Sequence, residues 1–190
     1  MNTHSYLRKP SALLIVALLA VAAPLAMIGC SNGGGSSTIN SPADIGLSEV
    51  QIAAPDFTLP TLAGGDLTLS DLQGRVVLLN FWYLDCPPCK EEMPYLDAVG
   101  KAYEGTAHVV VLNIGDSESS VRGYFRDADL NMHVPFDFDG KVAAEYSIGF
   151  TPTTFLIDSN GIIRFAKIGG FHNYDEVAAA IEFTLAKDAA

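Results

Sequence analysis

Alternating, continuous and helically spaced apolar residues follow one another along residues 55–190 and predict the elements of one domain. Phe57-Thr58-Leu59 and Leu67-Thr68-Leu69 alternate on either side of the turn-forming Ala63-Gly64-Gly65-Asp66, which predicts a hairpin. Ser70-Asp71-Leu72 predicts a helical turn after it. Arg75 to Phe81 and Ala107 to Ile114 are continuous apolar runs, as in strands buried on both faces.

Helical spacing predicts four helices further along the chain. The second of them is amphipathic, with Ser117 as a plausible N-cap and Val121, Tyr124 and Phe125 at helical spacing. The predicted helices are Cys86 to Tyr103 with an interruption at Pro94, Ser117 to Leu130, Gly140 to Ser147, and Asn173 or Tyr174 to about Lys187.

Extended segments lie between and after these helices. Val134 to Phe138 is short, Thr153 to Ile157 is a third apolar strand, and Ser159-Asn160-Gly161 is a strong hairpin turn into Ile162 to Ile168. Strands that alternate with helices and finish in an antiparallel hairpin and a helix predict an α/β fold whose sheet is covered on both faces.

The N-terminus has the pattern of an export signal. Arg8-Lys9 precedes an uncharged apolar run from Ser11 to Gly29 that ends in small residues, which favours a cleaved secretory signal at residues 1–29. The alternative is a transmembrane span, because the run approaches the ~18 to 20 residues that cross a bilayer. Residues 31–54 have no clear period, so residues 30–54 are predicted to be an anchor and flexible tether, and the domain to begin at residue 55.

Cys30 resembles the lipidation cysteine of bacterial lipoproteins, with Gly29 before it and a polar, flexible tail after it. The alternative is a free or disulfide-bonded Cys30, which is unusual for an exported protein whose other two cysteines can pair. The resemblance implies a membrane-anchored, extracytoplasmic lipoprotein, on the periplasmic side or the outer cell surface.

The charge of the chain excludes one class of partner. The formal net charge is −11, and removal of residues 1–29 takes away Arg8 and Lys9 but no acid, which leaves −13. A surface of this sign repels phosphate backbones, so no nucleic-acid partner is expected.

Chemistry is concentrated in Cys86-Pro87-Pro88-Cys89, where an apolar strand meets a predicted helix. Cysteines two residues apart let one thiolate attack a disulfide while the other resolves the mixed disulfide. A cysteine in the first helical turn faces unpaired N–H groups and the positive end of the helix dipole, which favour the thiolate. Pro87 and Pro88 suit that turn because the N–H groups they lack would be unpaired there. Lys90 favours a thiolate and Asp85 opposes it.

The element order, the Cys-x-x-Cys junction and Gly149-Phe150-Thr151-Pro152-Thr153 resemble the thioredoxin superfamily, specifically the TlpA/ResA-like membrane-tethered thiol-disulfide oxidoreductases. Pro55-Asp56-Phe57, Leu69-Ser70-Asp71-Leu72 and Asn80-Phe81-Trp82 match the N-terminal hairpin and first core strand of that family. The resemblance implies a thioredoxin-like fold, with a central mixed sheet flanked by helices and an added N-terminal β-hairpin.

The same resemblance implies residue roles. Cys86 is the nucleophile and the exposed cysteine, Cys89 the deeper, resolving one, and Thr151-Pro152 the cis-proline loop that pairs with substrate. Glu92 occupies the position of an acid/base partner, and the i, i+3 spacing lets it meet Cys89; a solvated helix residue is the alternative.

Other residues around the junction are expected to line a substrate site. They are Trp82, Asp85, Pro87, Pro88 and Thr151. Asp85 stands where most relatives have Trp, and Asn80 where thioredoxins proper have a buried acid. Trp82 is open to two interpretations, core or site wall.

No cofactor is implied, and the partners implied are disulfide-bearing exported proteins, apocytochrome c above all, and a membrane-bound thiol electron donor. A structural zinc site lacks a second ligand pair. A thioredoxin-fold copper carrier would have three residues between its cysteines and a distal histidine. A peroxiredoxin shares Pro55-Asp56-Phe57 but needs Thr or Ser three residues before its reactive cysteine, where this chain has Tyr83 before Cys86 and Cys86 before Cys89.

Overall fold

The computed structural model describes residues 38–189. A central sheet is built from strands β1 and β4 to β8, and β2 and β3 form a separate hairpin. The strands are β1 (Ser48–Ala53), β2 (Thr58–Pro60), β3 (Asp66–Thr68), β4 (Val76–Trp82), β5 (Ala107–Ile114), β6 (Phe136–Asp137), β7 (Thr153–Ile157) and β8 (Ile162–Ile168). The helices are α1 (Pro87–Ala102), α2 (Glu118–Asp127), α3 (Lys141–Glu145) and α4 (Tyr174–Asp188), with 3-10 turns at Pro42–Ile45 and Leu69–Leu72.

The sheet is mixed and has the strand order β1-β8-β7-β4-β5-β6. Strands β4, β5 and β6 run parallel, whereas β7, β8 and β1 each run antiparallel to their neighbours in that order. Every residue of β4 is buried, as its continuous apolar run predicts. The expected α/β class, mixed sheet and added hairpin are confirmed.

Two apolar layers cover the sheet. On one side α1, α2 and α4 pack against alternate residues of β4 and β5, with Met93, Leu96 and Ile181 fully buried. On the other side α3 and the β2–β3 hairpin cover Leu79, Phe81 and their neighbours. A short loop, residues 83–86, connects the carboxyl end of β4 to α1.

The segment before residue 55 differs from the predicted tether. Ile45 and Leu47 are buried in the core, and β1 pairs antiparallel with β8, so the interpretation of residues 42–53 as flexible lead-in is wrong. The sequence does not predict β1 because five of its six residues are exposed, so buried and exposed residues do not alternate along it. The 3-10 turn at Pro42–Ile45 has only four residues, which is too short for a recognisable helical period. The predicted signal at residues 1–29 and the predicted anchor Cys30 lie outside the described residues.

Helix α1 also differs from its prediction, because it continues through Pro94 without a break. Proline removes one backbone hydrogen bond from a helix interior. Met93 and Leu96, near Pro94 in sequence, have no exposed surface. Their packing in the core stabilises the helix where the backbone hydrogen bond is missing. Within residues 38–189, no helix combines the length and apolarity of a bilayer-spanning segment.

Candidate active site

The two cysteines lie where β4 hands over to α1. Cys86 is the N-cap residue of α1, and its Sγ accepts a hydrogen bond from the Cys89 backbone N–H at 3.3 Å. Sγ of Cys86 is bonded to Sγ of Cys89, so the pair is in its oxidised form. Pro87 and Pro88 fill the first two helical positions and are exposed, as expected for residues whose missing N–H groups would have no helical partner.

Exposure differs only slightly between the two cysteines. Cys86, expected to be exposed, is 3% exposed in the oxidised pair, and Cys89 is completely covered. The Thr151 hydroxyl, 3.6 Å from Cys86 Sγ, contributes to this cover. Cys86 is nevertheless the only residue of the pair with any exposed surface, which agrees with its expected role as the attacking residue.

Thr151 and Pro152 directly precede β7, and the Thr151 hydroxyl lies 3.6 Å from Cys86 Sγ. The peptide bond between them is cis, as predicted. The Pro152 carbonyl accepts a hydrogen bond from Gly169 N–H at 2.8 Å, which ties this loop to the loop after β8. The Thr151-Pro152 loop therefore contacts both Cys86 and the loop after β8.

Glu92 is fully buried, which excludes the solvated alternative. Its Oε1 accepts from the Asn80 amide at 2.8 Å and its Oε2 from the Phe171 backbone N–H at 2.8 Å. Burial raises the pKa of the carboxyl from 4.5 to about 7, because an ionised carboxylate loses its hydration there. The two hydrogen bonds and the positive charge of Lys167 oppose that rise in pKa.

Asn80, on β4, is the side chain that binds Glu92 from the sheet. Its Nδ2 donates to both Glu92 Oε1 and, at 2.9 Å, to Thr154 Oγ1. Its Oδ1 is buried and has no hydrogen-bond partner among the described residues. An amide thus stands here between the carboxyl group and the sheet.

Two of the expected substrate-contact residues differ in accessibility. Trp82 has no exposed surface, so its assignment to substrate binding is wrong. It belongs to the central strand and points into the helix-covered layer, where Nε1 donates to the Val111 carbonyl at 3.2 Å. Asp85 is exposed beside Cys86, as a substrate-contact residue must be. The ammonium of Lys90 lies over the Tyr124 ring, 5.6 Å from its centroid.

The loop after β8 is absent from the site predicted by the sequence, yet it packs against Glu92 and the Thr151-Pro152 loop. Phe171 supplies the N–H that binds Glu92, and a side chain at Gly170 would stand 3.4 Å from the Pro88 carbonyl and 3.5 Å from Glu92 Oε2. The Gly169-Gly170 pair directly after a strand is the one sequence signal that could have indicated this close approach.

A groove beside the disulfide includes Thr151 in its lining. It has a volume of about 520 Å³ and its lining contains no charged side chain. Tyr83 and Phe150 form part of its wall, and Phe150 is 73% exposed. Among residues 38–189 no group of three or more histidine, cysteine or acidic side chains is arranged to hold a metal ion.

A redox disulfide at the start of a helix, faced by a cis-proline loop and carried on this sheet, defines a thiol-disulfide oxidoreductase of thioredoxin-like fold. The chain belongs to the AhpC/TSA family, whose model matches residues 50–166. It is 37% identical over 132 residues to thioredoxin-like protein YneN of Bacillus subtilis, covering 68% of this chain and 76% of that protein. It is also 37% identical over 117 residues to thiol-disulfide oxidoreductase ResA of Bacillus cereus, covering 61% and 68%.

Solved structures agree with this assignment. A protein from Chlorobium tepidum described as a thiol:disulfide interchange protein DsbE superimposes with a TM-score of 0.65 at 30% identity, covering 75% of this chain and all of that one. A secreted disulfide oxidoreductase of Mycobacterium tuberculosis gives 0.61 at 25% identity, covering 67% and 95%. The activity is therefore thiol-disulfide oxidoreduction, with Cys86 and Cys89 as the redox pair.

Proposed function

We propose that this protein is a membrane-anchored, extracytoplasmic reductant that opens disulfides in exported proteins through Cys86 and Cys89. The observation that carries the proposal is the burial of Glu92, which follows Cys89 by three residues on α1 and has a pKa raised to about 7. A carboxyl group with a pKa near the working pH can accept a proton from a thiol and return it, which is what resolution of a mixed disulfide requires.

The reaction conserves electrons and protons. The Cys86 thiolate attacks a substrate disulfide, forms a mixed disulfide and releases one substrate thiolate, which takes a proton from water. Cys89 gives its proton to the Glu92 carboxylate and attacks Cys86 Sγ; the second substrate sulfur leaves as a thiolate and takes that proton back from Glu92. The substrate gains two electrons, Cys86 and Cys89 become the disulfide, and an external membrane-bound dithiol restores them.

The division of roles between the cysteines has a direct test. Cys89→Ser should accumulate mixed disulfides with a protein substrate, because the attacking thiol remains and the resolving thiol is gone. Cys86→Ser should trap little, since Cys89 has no exposed surface. Equal trapping by both variants would refute the assignment.

The direction of electron flow follows from the charge beside Cys86. Strong oxidants stabilise the thiolate of their first cysteine, whereas the neighbouring Asp85 carboxylate disfavours it. The potential should lie nearer the thioredoxin value of about −270 mV than the DsbA value of about −120 mV. Equilibration with dithiothreitol or glutathione buffers measures it, and a value near that of DsbA would reverse the proposed direction.

The substrate class is an extended, disulfide-bearing polypeptide, with apocytochrome c as the substrate that the family resemblance favours. The uncharged groove beside Thr151 supports a polypeptide with an apolar side chain close to its cysteine. Turnover of apocytochrome c disulfide by the reduced protein, compared with glutathione disulfide, tests this preference.

Export and anchoring rest on the N-terminal pattern. The mature chain should begin at Cys30 with lipid attached, since a basic start, an apolar run and Gly29 precede it. Intact-mass measurement of membrane-extracted protein tests this, and an unmodified N-terminus or a retained segment 1–29 would contradict it.

The AhpC/TSA match makes peroxide consumption the second activity to measure. Tyr83 stands three residues before Cys86, so the β-carbon hydroxyl that Thr or Ser supplies in a peroxidatic site is absent at this position. Peroxide loss in the presence of a thiol reductant should stay at the uncatalysed rate. In parallel, titration of the reduced protein with cuprous ion tests the copper-carrier alternative.

A further inference from the structure

Lys167 is the one lysine or arginine among the described residues that is buried, with 7% of its surface exposed. Lysine is almost never buried without an ionic partner, because its ammonium loses hydration. Here Nζ donates to the Ile45 carbonyl at 2.6 Å and lies 5.2 Å from the centroid of the Phe171 ring. Both partners are uncharged, so the positive charge is held in place without being neutralised by contact.

Phe171 connects this cation to the redox site. The Lys167 ammonium lies over the Phe171 ring. The backbone N–H of Phe171 donates to Glu92 Oε2 at 2.8 Å. Lys167 is on β8, which pairs directly with β7, and Glu92 is on α1. The positive charge lowers the pKa of the Glu92 carboxyl against the larger effect of burial.

The groups that face Glu92 come from four elements. Asn80 on β4 and the Phe171 N–H in the loop after β8 donate to it, Cys89 lies on its own helix, and Lys167 contributes the charge. Asn80 and the peptide N–H carry no charge, and in the disulfide the cysteines carry none either. Lys167 is therefore the ionic influence on this carboxyl group within the described part of the chain.

We propose that Lys167 is a positioning residue of the redox site, whose ammonium keeps Glu92 able to release its proton near neutral pH and so sets the pH range of Cys89 chemistry. This inference rests on the proposed acid/base function of Glu92. It also makes the segment before β1 part of the site, because the Ile45 carbonyl holds the ammonium.

The test follows the Glu92 carboxyl itself, in the full-length oxidised protein. Infrared difference spectra across pH, with Glu92→Gln to assign the band, give the midpoint of its protonation. Lys167→Met should move that midpoint upward by about one pH unit, as expected when a nearby unit charge is lost. Lys167→Arg keeps the charge and should restore it. Lys101→Met removes an exposed lysine from α1 and should leave the midpoint unchanged.

A second neutral variant serves as a control in case Lys167→Met does not fold. If Lys167→Met does not fold, Lys167→Gln keeps a donor for the Ile45 carbonyl and should show the same upward shift. An unchanged midpoint in a folded neutral variant overturns the proposal, and so does a shift that Lys101→Met reproduces.

Activity separates this proposal from the proposed function. The pH profile for resolution of a mixed disulfide should shift upward with the spectroscopic midpoint in Lys167→Met, and the pH step should vanish in Glu92→Gln. A spectroscopic shift with a Glu92→Gln profile identical to that of the unmodified protein would leave the Lys167 coupling intact and refute the acid/base function.

Discussion

Burial of the Glu92 carboxyl group lowers the free energy of unfolding by an amount that depends on pH. Its pKa in the folded protein, about 7, lies above its ordinary value of 4.5 because of burial, so the folded state binds the extra proton between these values. The free energy of unfolding should therefore fall as pH rises through this window, by roughly 3 kcal/mol in total from this group.

Glu92→Gln removes that dependence while keeping the shape of the side chain. The variant should be more stable than the unmodified protein at pH 8, by up to roughly 3 kcal/mol, and the difference should disappear below pH 4. Urea unfolding at both pH values measures it. A constant difference across this range would show that the carboxyl does not titrate as described.

Asp85 is the residue whose charge separates this chain from a strong oxidant. Asp85→Asn removes a negative charge next to Cys86 and should lower the pKa of the Cys86 thiol, because the thiolate no longer faces a like charge. Alkylation by iodoacetamide as a function of pH reports that pKa. The potential of the pair should become more oxidising in the same variant, and Glu91→Gln, also exposed and one turn away, is the control.

The site residues that could be predicted are those carried by local motifs. Cys86 and Cys89 form a spaced pair at a helix start, and Pro152 follows a recognisable loop. Lys167 and Phe171 could not be predicted, since their importance comes from contacts with Ile45 and Glu92, which are 122 and 79 residues away in sequence. For Glu92 the sequence leaves two environments open, because helical spacing determines which face of α1 carries the residue but not whether that face is buried.

At the scale of elements, the structured N-terminal segment is the main departure from the sequence prediction. Edge strands present one exposed face and one exposed edge, so their apolar pattern is weak even where backbone pairing is complete. Central strands such as β4 and β5 are bounded within one residue by their apolar runs, because both faces are buried. The hairpin of β7 and β8 was equally readable from Ser159-Asn160-Gly161.

The contribution of that segment can be measured with two isoleucines. Ile45 is 4% exposed and Ile52 is 58% exposed. Ile45→Ala should cost about 2 to 4 kcal/mol of unfolding free energy, as for other large-to-small core substitutions. Ile52→Ala should change it by less than about 0.5 kcal/mol. Similar effects of the two substitutions on the free energy of unfolding would show that residues 42–53 do not contribute to the core.

At the scale of the whole molecule, one strongly exposed apolar side chain, Phe150, lies next to the redox site, and another, Ile52, lies far from it. Phe150 directly precedes Thr151 and is 73% exposed. Ile52 is at the other end of the sheet, because it pairs with Ile163, which pairs with Ile157 and through it with Val77 at the start of β4.

Phe150→Ser should therefore lower kcat/KM for a protein disulfide by about tenfold, the effect of losing roughly 1.4 kcal/mol of apolar contact. Reduction of glutathione disulfide should change little, because so small a substrate does not reach the groove. Ile52→Ser is the matched control and should affect neither reaction. Equal losses with both substrates would place Phe150 in the chemistry of the disulfide and not in polypeptide docking.

The Asn80 side chain suits both protonation states of its neighbour. An ionised Glu92 needs a donor, which Nδ2 provides, whereas a protonated Glu92 carries its own donor and needs an acceptor. Half a revolution about the last torsion of Asn80 brings the otherwise unused Oδ1 to that place and lets it accept from Thr154 as well. The amide can thus follow the proton on and off the carboxyl by turning in place, with no shift of the strand that carries it, and an aspartate at position 80 would need a second proton to do the same.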